Sequence, residues 1–374
     1  MAQGAYIGVD GKAHKITGGY IGVDGKARQL VKAYIGVGGV ARPCWSGVRE
    51  LAYYGEVSPL ATSRANLAAT SVGEYALFGG GENSSTHYSK VDAYSASLTR
   101  SNPNSLYSAV SCLAATTIGD YAVFAGGSGD DYTYLTQVTA YTSTLTRSIP
   151  DRLSGGKAHL AAATTGQYAL FAGGASSAGV YDAVDAYSSS MTKSTGAKMS
   201  IARGYLAGTT VGTYALFGGG YDGRSTYSTV DAYSGYLTRT SPTALGYARY
   251  YHSAASVGNY ALFGGGYDGT YMYSAVDYYD KSLTKGTQEL YLNASARNLA
   301  STSIGGYALF GGGQVEGSSN VVTAFDASLT RTSYPDFTKR FNLAAATAGN
   351  YAIFAGGQTT YSNSMAYAEA YTLV

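Results

Sequence analysis

The chain has 374 residues and a formal net charge of +2, and its 13 % of charged residues is about half the share in an ordinary globular protein. Its two Cys and four His exclude a disulfide-rich scaffold and leave little for a zinc, copper or iron–sulfur site, and its near-neutral charge argues against a nucleic-acid binder. The 45 % of hydrophobic residues can fill a core, but because no apolar run reaches about 18 residues, we expect no membrane insertion.

The first 49 residues contain a short repeat with a period of 14. Tyr-Ile-Gly-Val-Asp-Gly-Lys-Ala at 6–13 recurs at 20–27 and, less closely, at 34–41. The Asp-Gly pairs at 10–11 and 24–25 lie between short β-prone runs, which predicts three small β-hairpins. Hairpins with so little apolar surface are marginal alone, so we expect residues 1–49 to pack on a partner, on a second copy or on one another. The alternative is a solvated, flexible leader.

Residues 1–49 are also the basic part of the chain, with seven Lys or Arg and two Asp. This charge favours docking on an acidic surface. The first residues lack the basic and apolar regions of a signal peptide, so we expect no secretory signal.

A longer repeat fills the rest of the chain. The core Tyr-Ala-Leu-Phe-Gly-Gly begins at Tyr75, and with its close equivalents it occurs seven times, with spacings of 46, 47, 46, 46, 47 and 44 residues. A period in the mid-forties is typical of the four-stranded blades of β-propellers. The equivalent cores begin at Tyr121, Tyr168, Tyr214, Tyr260, Tyr307 and Tyr351.

Each unit predicts four short strands and no helix. In the first unit, small residues at 67–72 predict the innermost strand, because blades crowd together at the central axis. The apolar run at 75–78 predicts a strand covered on both faces. Val-Asp-Ala-Tyr at 91–94 predicts the third strand, and the fourth begins near Leu-Thr-Arg at 98–100. We therefore predict an all-β fold in which residues 50–374 form a seven-bladed propeller of four-stranded blades.

Residues 51–60 are predicted to close the ring. The seventh unit reaches its third strand at 369–371 and the chain stops at Val374, so its fourth strand must come from elsewhere. In other units a Pro follows the Arg of the fourth strand by three residues, and Glu56 and Pro59 keep that spacing. We expect this segment to complete the last blade, which removes an exposed sheet edge.

The blades resemble the kelch repeat. Each has a double glycine after an apolar strand, then a loop and a strand ending in an aromatic residue, and two units keep a kelch-like aromatic–Asp pair at 279–280 and 325–326. The resemblance implies a propeller, but it does not specify a function, because propellers host enzymes, adhesins and scaffolds. Kelch repeats usually carry Trp where the third strand gives way to the fourth, whereas this chain has Leu98, Leu145, Met191, Leu237, Leu283 and Leu329.

The N-terminal repeats resemble those of tail-associated proteins of phages and prophages of Gram-positive bacteria. In these proteins, Tyr-x-Gly-Val-(Asp/Asn)-Gly-x-Ala-(Arg/Lys) repeats precede a recognition or structural domain. The matching residues here are Tyr20, Gly22, Val23, Asp24, Gly25, Ala27 and Arg28.

The two faces of the predicted propeller differ in sequence. The turns between first and second strands are short and nearly constant, whereas the loops between second and third strands vary in length and are rich in Tyr, Ser, Gly, Asn and Asp. This composition is typical of antibody paratopes and predicts a binding face, although it is also ordinary loop chemistry in a Tyr-rich chain. The candidate ligand-binding residues there are Tyr132, Tyr134, Tyr221, Tyr227, Tyr267, Tyr271 and Tyr273.

The same face is predicted to carry a basic ring at the mouth of the central channel. Such a ring would attract anions. In the alternative interpretation, these cations hydrogen-bond the blade backbone. Blade 2 has Val110 at this position, and blade 6 has Arg297 one place later. The basic residues of the other five blades are Arg64, Lys157, Arg203, Arg249 and Arg340.

The residue patterns of several enzyme classes are missing. A copper-radical oxidase would need paired His ligands, but the four His are scattered, and we find no sialidase box, phosphate-binding loop or dinucleotide fingerprint. Asp92, Asp185, Asp231 and Asp277 recur at one blade position, which favours a structural hydrogen bond over catalysis. We therefore predict no enzyme activity, no catalytic residue, no metal and no cofactor.

These features favour a phage tail-associated binding protein, carried on the virion tail and assembled in the host cytoplasm. The loop face would recognise a host-surface glycan or protein, and residues 1–49 would attach to other virion proteins. A homo-oligomer, in particular a trimer, is compatible with fibre-like attachment. Two alternatives stay open: a cytosolic or surface kelch-type interaction scaffold, and a propeller hydrolase or lyase whose active residues the sequence does not reveal.

Overall fold

The computed structural model describes residues 50–374 except 316–319 and 336, together with six strands between residues 6 and 46. Two compact units are present: one contains residues 1–52 and 373–374, and the other contains residues 53–372. In the part of the chain that is described, the one helical element is a single turn at Asp130–Tyr132. None of these residues forms a helix that is long and apolar enough to cross a lipid bilayer.

The N-terminal strands form three separate antiparallel pairs, as the 14-residue repeat predicts. Each pair is its own two-stranded sheet, and the third has a register shift between Ala33 and Tyr34. The Asp-Gly turns predicted at 10–11 and 24–25 lie outside the described residues. The pairs are Tyr6–Val9 with Lys12–Lys15, Tyr20–Val23 with Lys26–Gln29, and Lys32–Val37 with Val40–Ser46.

Seven four-stranded antiparallel sheets make up the propeller, which confirms the predicted blade number. Within blades 1 to 6 the strands follow in chain order from the axis outwards. The strands of blades 1 to 3 are Ala68–Val72, Tyr75–Gly79, Val91–Ser95 and Arg100–Ser101; Ala114–Ile118, Tyr121–Ala125, Val138–Thr142 and Arg147–Ser148; and Ala161–Thr164, Tyr168–Ala172, Val184–Ser188 and Lys193–Thr195.

Blades 4 to 7 repeat this arrangement. Their strands are Ala207–Val211, Tyr214–Gly218, Val230–Tyr233 and Arg239–Thr240; Ser253–Val257, Tyr260–Gly264, Ala275–Asp280 and Leu290–Tyr291; Ala300–Ile304, Tyr307–Gly311, Val322–Asp326 and Arg331–Tyr334; and Ala344–Ala348, Tyr351–Ala355, Ala368–Leu373 and Leu51–Val57. Three small pairs add to the loops: Ala175–Ser176 with Gly179–Val180, Ala296–Arg297 with Gln314–Val315, and Gln358–Thr360 with Asn363–Ser364.

Blade 7 takes its outermost strand from upstream of blade 1, as predicted. Leu51–Val57 lies beside Ala368–Leu373 in the sheet order. The segment that follows it packs like its counterparts elsewhere: the hydroxyl of Tyr94 donates to the carbonyl oxygen of Ser58 at 2.7 Å, just as Tyr141 does to Asn104. The interface between blades 7 and 1 is therefore built like the others.

Neighbouring blades bury their hydrophobic faces against each other. A Phe of the second strand meets a Tyr of the third edge-on in most blades, as in Phe78 and Tyr94 with ring centroids 5.7 Å apart. One apolar cluster joins Leu60 and Phe78 to Ile353 of blade 7, so the core is continuous across the point of closure. This burial explains why the second strands are almost wholly apolar.

Hydroxyl side chains link the first strands around the axis. The Thr70 hydroxyl lies 2.8 Å from that of Thr117, and the Thr210 hydroxyl donates to the Thr164 carbonyl at the same distance. Small hydroxyl residues fit where the strands converge and also join one blade to the next. The run of small residues in the sequence thus has a steric and a hydrogen-bonding cause.

The fourth strands begin later than the sequence predicts. In blade 1, Leu98 lies in the preceding turn with a φ of +60°, and its N–H donates to the carbonyl oxygen of Ser95. Blade 5 departs further, because its fourth strand is Leu290–Tyr291 and Lys285 makes only an isolated bridge to Tyr279.

The late start of the fourth strand in blade 5 coincides with a residue change on the third strand, where Tyr278 replaces the Ala of the six other blades. A Cβ on Gly286 would lie 1.8 Å from a ring carbon of Tyr278, so only glycine fits beside this ring. The chain passes the Tyr278 ring before it pairs again.

Candidate functional site

A ring of seven backbone-equivalent residues surrounds one end of the central channel. Each precedes the first strand of its blade, and each has a φ between 52° and 58°. The N–H of each donates to the carbonyl oxygen of its counterpart in the preceding blade, at 2.8 to 3.2 Å, and the series closes from Asn66 to Asn342. The ring residues are Asn66, Cys112, His159, Tyr205, Tyr251, Asn298 and Asn342.

The side chains of these ring residues differ although their backbone is the same. Four residue types occupy the seven positions, whereas the Leu that follows is replaced only once, by His252. Left-handed backbone favours Asn, but bulkier residues adopt it at some cost. Since the hydrogen-bonded ring fixes the backbone, the side chains are free to vary.

The ring residues line a cavity of about 680 Å³ on the loop face. Its walls also include Glu82, Arg297, Gln358 and Tyr361. This volume lies in the range of small-ligand sites, about 300–1,000 Å³. A second cavity, of about 330 Å³, is lined by Thr, Ser and Ala of the first strands.

Aromatic side chains follow one side of the loop-face cavity, from blade 3 to blade 5. His159, Tyr205 and Tyr251 line the cavity, whereas Tyr221, Tyr250 and Tyr267 lie outside the lining and contact these rings or one another. His159 stacks on Tyr205 with ring centroids 4.1 Å apart, and Tyr205 meets Tyr251 edge-on at 5.1 Å. Tyr250 stacks on Tyr221 at 4.9 Å. We call His159, Tyr205, Tyr221, Tyr250, Tyr251 and Tyr267 the aromatic arc.

Arg297 ends the aromatic arc. Its guanidinium carbon lies 4.4 Å above the ring centroid of Tyr267, a cation–π arrangement. Its Nε–H donates to Oε1 of Gln314 at 3.0 Å. The charge of Arg297 is therefore already engaged within the protein.

Amide side chains cover the opposite side, from blade 6 through blade 7 to blade 1. Asn66 donates to Oε1 of Glu82 at 2.7 Å, and Glu82 also accepts from Ser111. Within the described part of the chain, the side-chain amides of Asn298 and Asn342 have no hydrogen-bond partner. We call Asn66, Asn298 and Asn342 the amide arc.

The titratable groups of the cavity are mostly neutral at pH 7. Burial lowers the pKa of His159 to about 4. Burial, together with the nearby charge of Arg249, lowers the pKa of His252 to about 3. Burial also raises the pKa of the Cys112 thiol to about 12. These groups would present uncharged polar surfaces to a ligand.

The predicted tyrosines divide into three groups. Tyr221 and Tyr267 belong to the aromatic arc, on either side of Tyr250. Tyr227 and Tyr273 instead stabilise their own loops, because their hydroxyls donate to Asp222 at 2.7 Å and Asp268 at 2.5 Å.

Of the remaining predicted tyrosines, Tyr271 is 67 % exposed at the tip of its loop. Tyr134 is half-buried, and its backbone makes an isolated bridge to Ser128. The side chain of Tyr132 lies outside the described residues. Among the predicted tyrosines whose side chains are described, Tyr271 is thus the most available to a large partner.

The loops that present these tyrosines are held by short hydrogen-bonded turns. Oδ1 of Asp268 accepts the N–H groups of Thr270 and Tyr271, both at 2.7 Å. Oδ1 of Asp222 accepts from Arg224 and Ser225 in the same way. These are Asx turns, so the Asp-Gly pairs have a structural role.

The prediction of a solvent-facing basic ring is wrong, because its residues are buried. All five cations have 0 % exposure, so they do not face solvent at the channel mouth. Each forms an ion pair with a carboxylate on the third strand of its own blade, and most also donate to backbone carbonyls, as the alternative interpretation holds. The pairs are Arg64–Asp92, Lys157–Asp185, Arg203–Asp231, Arg249–Asp277 and Arg340–Glu369.

In four blades the carboxylate also receives a second cation, from the fourth strand in blades 1, 3 and 4 and from Lys285, ahead of that strand, in blade 5. Burial alone would raise the pKa of Asp92, but the charge of Arg64 and the hydrogen bonds from Arg100 and Arg64 outweigh it and hold the pKa below its usual value. Lys157 and Lys193 lower the pKa of Asp185 in the same way. The carboxylates are structural, as their repetition predicts.

Sequence reasoning missed the cavity lining, because none of the predicted ligand-binding residues is among the residues that line it. Only Tyr221 and Tyr267 of the aromatic arc were predicted, and neither the amide arc nor Arg297 was proposed as ligand-binding. The available signal was a single variable position before a nearly constant Leu, repeated in every blade. A variable residue at a fixed backbone position marks a surface that is not needed for folding.

The described residues contain no cluster of three or more His, Cys, Asp or Glu that could hold a metal ion. The polar groups at the cavity are suited to hydrogen bonding and stacking. Neither a protein-family model nor a curated protein sequence matches this chain.

Proposed function

We propose that this protein is a non-enzymatic recognition protein whose loop face binds a host-surface glycan or protein. The observation that carries the proposal is the contrast between the two ends of the propeller. The loop face has a cavity bordered by seven backbone-equivalent but chemically different side chains, whereas the turns of the other face are nearly constant.

The outer loops support the same proposal. Tyr271 is exposed on a loop that an Asx turn and the Tyr273–Asp268 hydrogen bond hold in place. Binding to a loop that is already ordered loses little conformational entropy, and Tyr provides a large contact area with few rotatable bonds. The loop face can therefore extend recognition beyond the cavity.

We further propose that the protein belongs to a phage or prophage tail. The support is the resemblance of residues 1–49 to tail-associated repeats of Gram-positive phages. The basic N-terminal repeats would attach the protein to other virion proteins, and the propeller would contact the host.

Binding of the labelled full-length protein to intact Gram-positive cells tests the recognition proposal. Tyr271→Ala and the double variant Tyr221→Ala/Tyr267→Ala should reduce cell-bound protein several-fold, because each removes aromatic contact area from the loop face. Tyr236→Ala is the matched control, since Tyr236 is 87 % exposed but lies in a turn of the opposite face. Equal binding by all variants, or loss only in Tyr236→Ala, would contradict the proposal.

A further inference from the structure

We infer that the central cavity is the specificity pocket of the loop face and that it takes an uncharged sugar unit of a glycan. The inference rests on the proposed function in that the loop face is the binding side. It adds the ligand class and the residues that select it.

The two sides of the cavity match the two surfaces of a sugar ring. A pyranose has C–H faces that pack on aromatic rings and hydroxyl groups that need hydrogen-bond partners around the edge. Tyr205 and Tyr251 of the aromatic arc supply ring surfaces at the cavity wall. Across the cavity, Asn298 and Asn342 supply amides, each with both donor and acceptor capacity.

Two of the three amides of the amide arc, those of Asn298 and Asn342, are free to bind a ligand. Asn298 and Asn342 are consecutive members of the backbone ring, joined by the N–H of Asn342 and the carbonyl of Asn298 at 2.9 Å. Their side-chain amides have no partner within the described residues. Two adjacent amides in a concave site can bind neighbouring hydroxyls of one sugar, and such polar groups fix orientation in small-ligand pockets.

The charges around the cavity favour an uncharged ligand. Glu82 is bound to Asn66, Ser111 and His87, and Arg297 is held by Tyr267 and Gln314. The five basic residues that precede the first strands are buried in ion pairs and do not reach the cavity mouth. Among the described lining residues, an anionic sugar would therefore meet no uncommitted cation.

A glycan array probed with the full-length protein tests the ligand class. The array should pair neutral oligosaccharides with their sialylated and phosphorylated counterparts. We expect binding to neutral glycans and no gain from the acidic groups. Calorimetry with the best neutral glycan should give an affinity that is nearly independent of salt between about 0.05 and 0.5 M, because no ion pair forms.

The double variant Asn298→Gly/Asn342→Gly tests the site. Glycine accepts the left-handed backbone, so the amides are removed without strain. We expect affinity for the neutral glycan to fall about tenfold or more. A second variant, Asn298→Tyr/Asn342→Tyr, copies the ring residue of blades 4 and 5 and should block the cavity, so the test does not depend on one substitution. Unchanged melting temperatures identify folded variants.

Three results would overturn the inference: no neutral glycan bound at millimolar concentration, a preference for acidic glycans, or full affinity in both Asn298/Asn342 variants. If both Asn298/Asn342 variants keep full affinity while Tyr271→Ala loses cell binding, the cavity is not the glycan site, but the loop face still binds the host as proposed. Failure of the wild-type protein to bind cells at all would count against the proposed function itself.

Discussion

Blades 2 and 6 differ from the other five in the centre of the blade. Five blades bury a cation against a carboxylate, whereas blade 2 has Val110 and Thr139, and blade 6 has Ala296 and Thr323. In these blades the cation and the carboxylate are both missing. Neither charge is found buried without the other.

All seven blades keep a third-strand side chain that accepts a hydrogen bond from one backbone N–H. The residue on the third strand accepts from the loop that enters the blade: Asp231 accepts from Ser200, and Thr139 accepts from Tyr107 at 3.3 Å. In blade 6, Thr323 accepts from Asn293 at 3.1 Å. A hydroxyl suffices for this bond, so the buried cation is needed only where the acceptor is a carboxylate.

The largest loss of stability is expected in blade 7, because the strand from upstream also binds the buried carboxylate there. The hydroxyl of Tyr53 donates to Glu369 at 3.2 Å. Deleting residues 51–57 removes this strand, exposes a sheet edge and leaves blade 7 incomplete. We expect a larger fall in melting temperature than any single substitution produces. An unchanged calorimetric melting curve would count against closure by this strand.

The next largest effect should come from breaking one pair. Arg203→Val leaves Asp231 buried without its buried cation, which should lower the free energy of unfolding by about 3 kcal/mol or more. The double variant Arg203→Val/Asp231→Thr copies blade 2 and should cost clearly less, because it leaves no buried charge unpaired.

Urea unfolding of both variants measures this difference. If the double variant is as unstable as the single one, the cation and the carboxylate are not a unit, and the contrast between the blades has another cause.

The smallest effect concerns acid stability. Because the pKa of Asp92 is lowered in the folded state, its contribution to stability is present above the usual carboxyl pKa of about 3.9 and is lost as pH falls through the folded value. Arg64→Val/Asp92→Thr should therefore flatten the fall in unfolding free energy below about pH 4, by at most about 1.4 kcal/mol per pH unit. Urea midpoints measured between about pH 2.5 and 6 test this, and identical slopes would refute it.

The blade architecture could be predicted because each repeat carries its own strand pattern. The Gly-Gly pair, the apolar second strand and the fixed spacing of the units indicated seven sheets, and the missing last strand indicated closure. The path of blade 5 could not be predicted, because it depends on how the Tyr278 ring lies against Gly286. Such a contact is invisible in a repeat alignment.

The burial of the cations could have been predicted from a spacing in the sequence. Arg64 and Asp92 are separated by 28 residues, the same separation recurs in three other blades, and both members disappear together. The cavity lining was harder to predict, because Asn342, His159 and Tyr205 share no chemistry. What they share is a backbone conformation and a position at the axis.

The closed circuit of backbone hydrogen bonds has a consequence for how binding preferences can diversify. Each of the seven positions satisfies its N–H through its neighbour's carbonyl, whatever side chain it carries. Because the ring is held by backbone groups, the side chain at each of the seven positions can change independently of the other six. New preferences can thus be sampled by point mutation, without redesign of the blades.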